Sequence, residues 1–106
     1  MRIQVLGDDT IGRQARTYAE YRVFAALTQL AGADQVRDAS VVLRHVHRGG
    51  DRDVVTCMVT VTWESSNTMR VRTTGDHAYA AINRAVEAVG RSVVAERVQR
   101  ERCMSD

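Results

Sequence analysis

The sequence predicts an α+β domain of order β-α-β-β-β-α, with a four-stranded sheet and two helices packed on one of its faces. Three observations predict it. Segments within 38–74 alternate apolar and polar side chains, the period of a strand buried on one side. Segments 13–31 and 77–102 repeat apolar residues at spacings of three and four, the period of a helix with one buried face. Only short turns separate the last three strands, which makes them an antiparallel meander.

The elements follow in order. "RIQVLG" (2–7) alternates and is β-branched, so it reads as a short strand. "DDTIGRQ" is a turn, with Asp9 and Thr10 as candidate helix caps. Helix 13–31 has its apolar stripe at Ala15, Ala19, Val23, Ala26, Leu27 and Leu30, and Gly32 is its natural stop. Strand 38–48 puts Val41, Leu43, His45 and His47 on one face and Val42, Arg44, Val46 and Arg48 on the other. "GGDRD" reads as a hairpin turn. Strand 54–64 places Val55, Cys57, Val59, Val61 and Trp63 opposite Thr56, Met58, Thr60 and Thr62. Strand 68–74 sets Met69 and Val71 against Arg70 and Arg72. Gly75 and Asp76 open the last helix, whose stripe is Tyr79, Ile82, Val86, Val89 and Val93. Tyr79 is read here as a core residue rather than as a base-stacking platform. The sheet face away from the helices carries threonines and arginines to solvent.

At 106 residues the chain is long enough for one core, so residues 1–102 form a single domain and 103–106 a short tail. No apolar run is long enough to span a bilayer and no secretory signal opens the sequence, so a cytoplasmic protein without membrane contact is expected. Cys57 lies mid-strand and reads as a small apolar residue, not as half of a disulfide. Net charge is only +2, yet all 15 basic residues are arginine. Base composition of the genome accounts for that bias. Arginine nonetheless binds phosphate bidentately and stacks on bases, so where the arginines lie matters more than their sum.

Candidate chemistry is sparse. His45 and His47 form an H-x-H on one strand, a spacing that can hold a metal, but no third ligand is evident, and they read as two histidines at the partly buried end of a strand. Asp8–Asp9 and Asp51/Asp53 lie in turns, where aspartate bonds its own backbone. No Ser, Cys or Lys sits beside a base, so no enzyme, cofactor or metal is expected. The arginines organise better. Arg84 and Arg91 are seven apart on the last helix, on one side of it, with Glu87 between them at bridging distance. Arg97, Arg100 and Arg102 crowd its end, and helix 13–31 adds Arg13, Arg16 and Arg22. Such residues suit a solvated helix face, and equally a two-helix phosphate-binding surface.

A resemblance decides between those readings. "GDHAYAAINRAVEAVGRSV" (75–93) resembles the signature of the short ribosome hibernation-promoting and ribosome-associated inhibitor proteins. That signature is a glycine after the fourth strand, an acidic residue, a hydrophobic residue, Tyr-Ala-Ala-Ile-Asp, then a basic helix. "ARTYAEYRV" (15–23) resembles the family's first helix, and the element order is the family's too. The resemblance spans about residues 1–100. It implies a double-stranded-RNA-binding-like fold and binding of the small ribosomal subunit by contacts between basic helix faces and rRNA phosphates. It further implies that such binding blocks translation or protects idle ribosomes. Carried onto this chain, the rRNA-binding residues are Arg16, Arg22, Arg84, Arg91 and Arg97. Tyr79, Ile82 and Val86 would lock the helix onto the sheet, and Gly75 would permit the tight turn before it.

The chain departs from the family at several positions. His77 stands at the acidic position, with Asp76 one place earlier, and Asn83 replaces the motif's closing Asp. Tyr21 stands at a basic position. Ala25, Ala88 and Ala95 occupy positions where the family commonly has lysine. Each lost phosphate contact lowers affinity and its salt dependence, and Arg84 adds one back. The alternative is a diverged relative that keeps the fold and acts as a protein-interaction module, forming a homodimer through a sheet edge or the exposed sheet face.

Overall fold

A computed structural model describes the backbone of residues 1–32, 34–48 and 52–104, and side chains over the same residues except 48, 52 and 97–104. Its elements are β1 (Arg2–Gly7), α1 (Arg13–Leu30), β2 (Val36–Arg48), β3 (Arg52–Trp63), β4 (Thr68–Gly75) and α2 (Ala78–Met104). The sheet order is β1-β2-β3-β4. The meander pairs antiparallel as expected, while β1 lies parallel to β2, so the sheet is mixed. Strand β2 begins two residues before the alternation does, with a register shift between Val36 and Asp38. Helix α2 continues to Met104, so the expected tail is helical over its first two residues. Ser105, Asp106 and most of the expected "GGDRD" turn lie outside the described residues.

Register explains the two sheet faces. Ile3, Ala39, Val61 and Met69 stand in one cross-strand row, and Val5, Val41, Val59 and Val71 in the next. Those rows face the helices. Helix α1 packs over β1 and β2, α2 over β3 and β4, and the helices touch each other. The core between the layers is built from β-branched and small residues, with Leu27, Leu43 and Ile82 its largest fully buried side chains. Burial of Cys57 pushes its thiol up to about 12, so it stays protonated and inert, as its mid-strand position suggested.

Two local expectations are corrected. Neither Asp9 nor Thr10 caps α1: Gly12 is the N-cap and offers no side-chain bond. Asp8 does the local work instead. Its carboxylate accepts from Thr10 N–H at 3.0 Å, from the Thr10 hydroxyl, and from His45 N–H at 3.0 Å. The loop is thereby tied to β2 before the helix begins. His45 and His47 share the helix-facing side with Leu43 but are exposed, not partly buried, and β1 ends opposite Leu43, short of both. His45 Nδ1 meets the Thr10 hydroxyl and His47 Nδ1 meets the Asp53 carboxylate. Among the described residues no cluster of three or more His, Cys, Asp or Glu could hold a metal, and no helix is long and apolar enough to cross a membrane.

Candidate nucleic-acid interface

The outer faces of the two helices form the candidate site, and the β4–α2 turn sets how they meet. Gly75 is buried at the end of β4. A Cβ there would stand 2.6 Å from Ala81 N and 2.9 Å from Ala80 Cβ. Its φ is unremarkable, so glycine is required by space alone: the first turn of α2 lies directly on the strand. The Thr73 hydroxyl fastens that turn by donating to Ala81 O at 2.8 Å.

This close approach corrects the placement of Tyr79. Ala81 and Ala85 are fully buried beside Ile82, Val86, Val89 and Val93, so the helix is rotated toward its small residues. No room remains for an aromatic ring beneath the first turn. Tyr79 is 39% exposed and lies against α1, its ring centroid 5.1 Å from that of Tyr18 with the planes tilted by 55°. The Tyr18 hydroxyl donates to Asn83 Oδ1 at 2.6 Å. Sequence reasoning missed this interhelical pair. Its signal was the Tyr at the edge of each apolar stripe.

The arginines divide into classes. Arg84 is exposed and donates from Nη1 to Thr74 O at 2.6 Å, which anchors it beside the turn and leaves its other donors for a ligand. Arg91 is exposed on the same helix. Among the described residues Glu87 makes no ion pair with either, so the expected bridge is absent. Arg22 is half-buried, with Nε out of solvent and without a hydrogen-bond partner. Arg16 is half-buried and engaged within the fold: its Nη2 donates to Gly7 O at 3.2 Å and to Asp8 O at 3.1 Å. It holds the loop that Asp8 organises. The side chain of Arg97 lies outside the described residues. Of the alanines at family lysine positions, Ala95 is exposed and Ala25 and Ala88 are half-buried.

The far face of the sheet is also basic. Arg2, Arg44, Arg70 and Arg72 are exposed there, with Asp38 the acidic residue on that face among the described side chains. Between them runs the row Leu6, Val42, Met58, Arg72. The threonine-and-arginine face read from the strands thus has an apolar centre.

An α+β domain of this topology, with Arg84 and Arg91 exposed on α2, is similar to solved structures. The N-terminal domain of Protein Y from Thermus thermophilus superposes with a TM-score of 0.69 at 25% sequence identity, over 88% of this chain and 96% of that one. A ribosomal subunit interface protein from Coxiella burnetii superposes with a TM-score of 0.69 at 11% identity, over 92% of this chain and 99% of that one. The second likeness is one of fold alone. No family model matches the chain, and no curated protein sequence matches it. The family resemblance read from residues 75–93 and the neighbours found by structure point the same way.

Proposed function

We propose that this chain is a ribosome-associated hibernation factor. It binds small-subunit rRNA through the outer faces of α1 and α2 and so blocks or protects idle ribosomes. The observation that carries the reading is the match to the Protein Y N-terminal domain over 88% of the chain, beside the resemblance read at residues 75–93. The exposed Arg84 and Arg91 supply phosphate contacts from α2, and Arg22 supplies one at the rim of α1. Arg16 serves from inside, by fixing the loop ahead of α1. Arg97 extends the series along α2. Folded RNA is read mostly by shape and phosphate, so the binding domain needs no catalytic group.

The test is charge reversal. Arg84→Glu combined with Arg91→Glu should abolish co-sedimentation with ribosomes while leaving the circular dichroism spectrum and Tm near those of the wild type. Undiminished binding by that folded variant would remove both residues from the mechanism. The second reading, a protein-interaction module, is favoured by the Leu6–Val42–Met58 row, in which Leu6 is 50% exposed. Leu6→Asp would disrupt such an association and leave ribosome binding intact.

A further inference from the structure

Aromatic side chains usually build cores, because they bury the most surface. Here they do not. Of the five aromatics in the chain, only Trp63 is in the core. Tyr21 is 69% exposed, Phe24 48% and Tyr79 39%. All three tyrosines of the chain line one groove between α1 and the start of α2, together with Arg13, Gln14 and Thr17. Phe24 continues the apolar surface beyond Tyr21. The groove is organised from within. Tyr18 is held by Asn83 and by the tilted contact with Tyr79, and the His77 ring lies 6.5 Å from Tyr79.

We propose that Tyr18, Tyr21 and Tyr79 form a stacking platform for an unpaired nucleobase of the bound RNA. The inference rests on the rRNA-binding reading and deepens it, by adding recognition of single-stranded bases to the phosphate contacts. Two features select this occupant. Exposed tyrosine rings, Tyr21 and Tyr79, lining one shallow groove suit the π-face that every base presents. Charge complements them: Arg13 lines the groove itself. A base on the tyrosines would leave a flanking phosphate to Arg13. The platform also gives a use to Tyr21, which stands where the family resemblance implies a basic residue. A stacking contact there offsets part of the lost charge and is less sensitive to salt.

The test uses the full chain and fluorescence anisotropy with a labelled single-stranded oligoribonucleotide of mixed sequence. The same backbone without bases serves as the comparison. Each stacked base should contribute roughly 5- to 150-fold in affinity. The wild type is therefore expected to prefer the base-bearing strand by a factor in that range. Tyr79→Ala and Tyr21→Ala should erase the preference with little change in salt slope, and Tyr79→Phe should retain it. Because Tyr79→Ala also removes packing against Tyr18, the highly exposed Tyr21 provides the variant least coupled to folding. Equal affinity for the two strands overturns the platform, as does wild-type affinity in folded Tyr21→Ala and Tyr79→Ala. Preferential capture of a protein rather than RNA by the groove overturns it too. Ribosome co-sedimentation separates the two layers. If all tyrosine variants co-sediment like the wild type and no base preference exists, the platform falls and the ribosome reading stands. If the wild type shows base preference but never co-sediments, the platform stands and the ribosome reading falls.

Discussion

Replacing Gly75 with alanine tests the turn on which the whole interface depends. The new Cβ would sit 2.6 Å from Ala81 N, 2.9 Å from Ala80 Cβ and 3.0 Å from Ala80 C. Ordinary non-bonded contacts lie near 3.5–4.0 Å, so relief requires a shift of about 1 Å. Two of the three obstructing atoms are backbone, so no side chain can swing aside. The first turn of α2 must lift from β4 and carry Ala81 and Ile82 with it. Overpacking costs about 1–3 kcal/mol, and backbone obstruction puts this case near 3. Stiffening of the unfolded chain returns about 0.4–1 kcal/mol. The net loss is therefore about 2–3 kcal/mol, a fall in Tm of roughly 8–24 °C for a domain of this size. Thermal melts followed at 222 nm would measure it. Gly12→Ala is the control, because a Cβ there meets nothing within 4 Å. It should shift stability by less than about 1 kcal/mol. A Gly75→Ala protein as stable as the control would refute the argument from close approach.

Other outcomes follow from particular side chains. Arg16→Ala leaves the Gly7 and Asp8 carbonyls without their guanidinium donor, so it should destabilise by about 1–3 kcal/mol in urea titrations. Arg84→Ala, at an exposed position, should cost little stability and lower ribosome affinity instead. Hydrogen bonds from the Thr10 hydroxyl and His45 N–H hold the Asp8 carboxyl below the usual carboxylate range, at about 2. Its contribution is thus complete above about pH 4 and is lost as pH falls toward 2. Asp8→Asn should flatten the acid unfolding curve in that window, and an unchanged curve would count against the loop's role. In a Cys103→Ser background, Cys57 should resist a thiol reagent in the native protein and react only as fast as the chain unfolds.

Much of this fold was legible because its signals are local. Alternation in strands β2 to β4 fixes which side chains face the helices, and the stripe at Ile82, Val86, Val89 and Val93 predicts the buried side of α2. What was not legible depends on distance in sequence or on fine rotation. Nothing in "RIQVLG" says that β1 lies beside β2 in parallel, since that pairing forms across the whole of α1. Tyr79 satisfies the helical period as well as Ile82 does, yet the helix turns toward Ala81 and Ala85 because small residues permit closer packing on β4. Periodicity records which residues share a face and not how near that face comes to its neighbour. The arginines show the same limit. Arg16 and Arg84 look alike in sequence, and only the positions of the Gly7, Asp8 and Thr74 carbonyls separate a loop clamp from an anchored surface charge.

The central claim is that this domain binds ribosomes by phosphate contacts, and co-sedimentation with ribosomes from its own host at two salt concentrations tests it most directly. Four contacts, from Arg22, Arg84, Arg91 and Arg97, predict that affinity falls about 100-fold between roughly 50 mM and 200 mM salt. Migration with the small subunit or the whole ribosome at low salt, weakened by about that factor at the higher salt, is the expected result. Protein that remains at the top of the gradient at both concentrations would contradict the account.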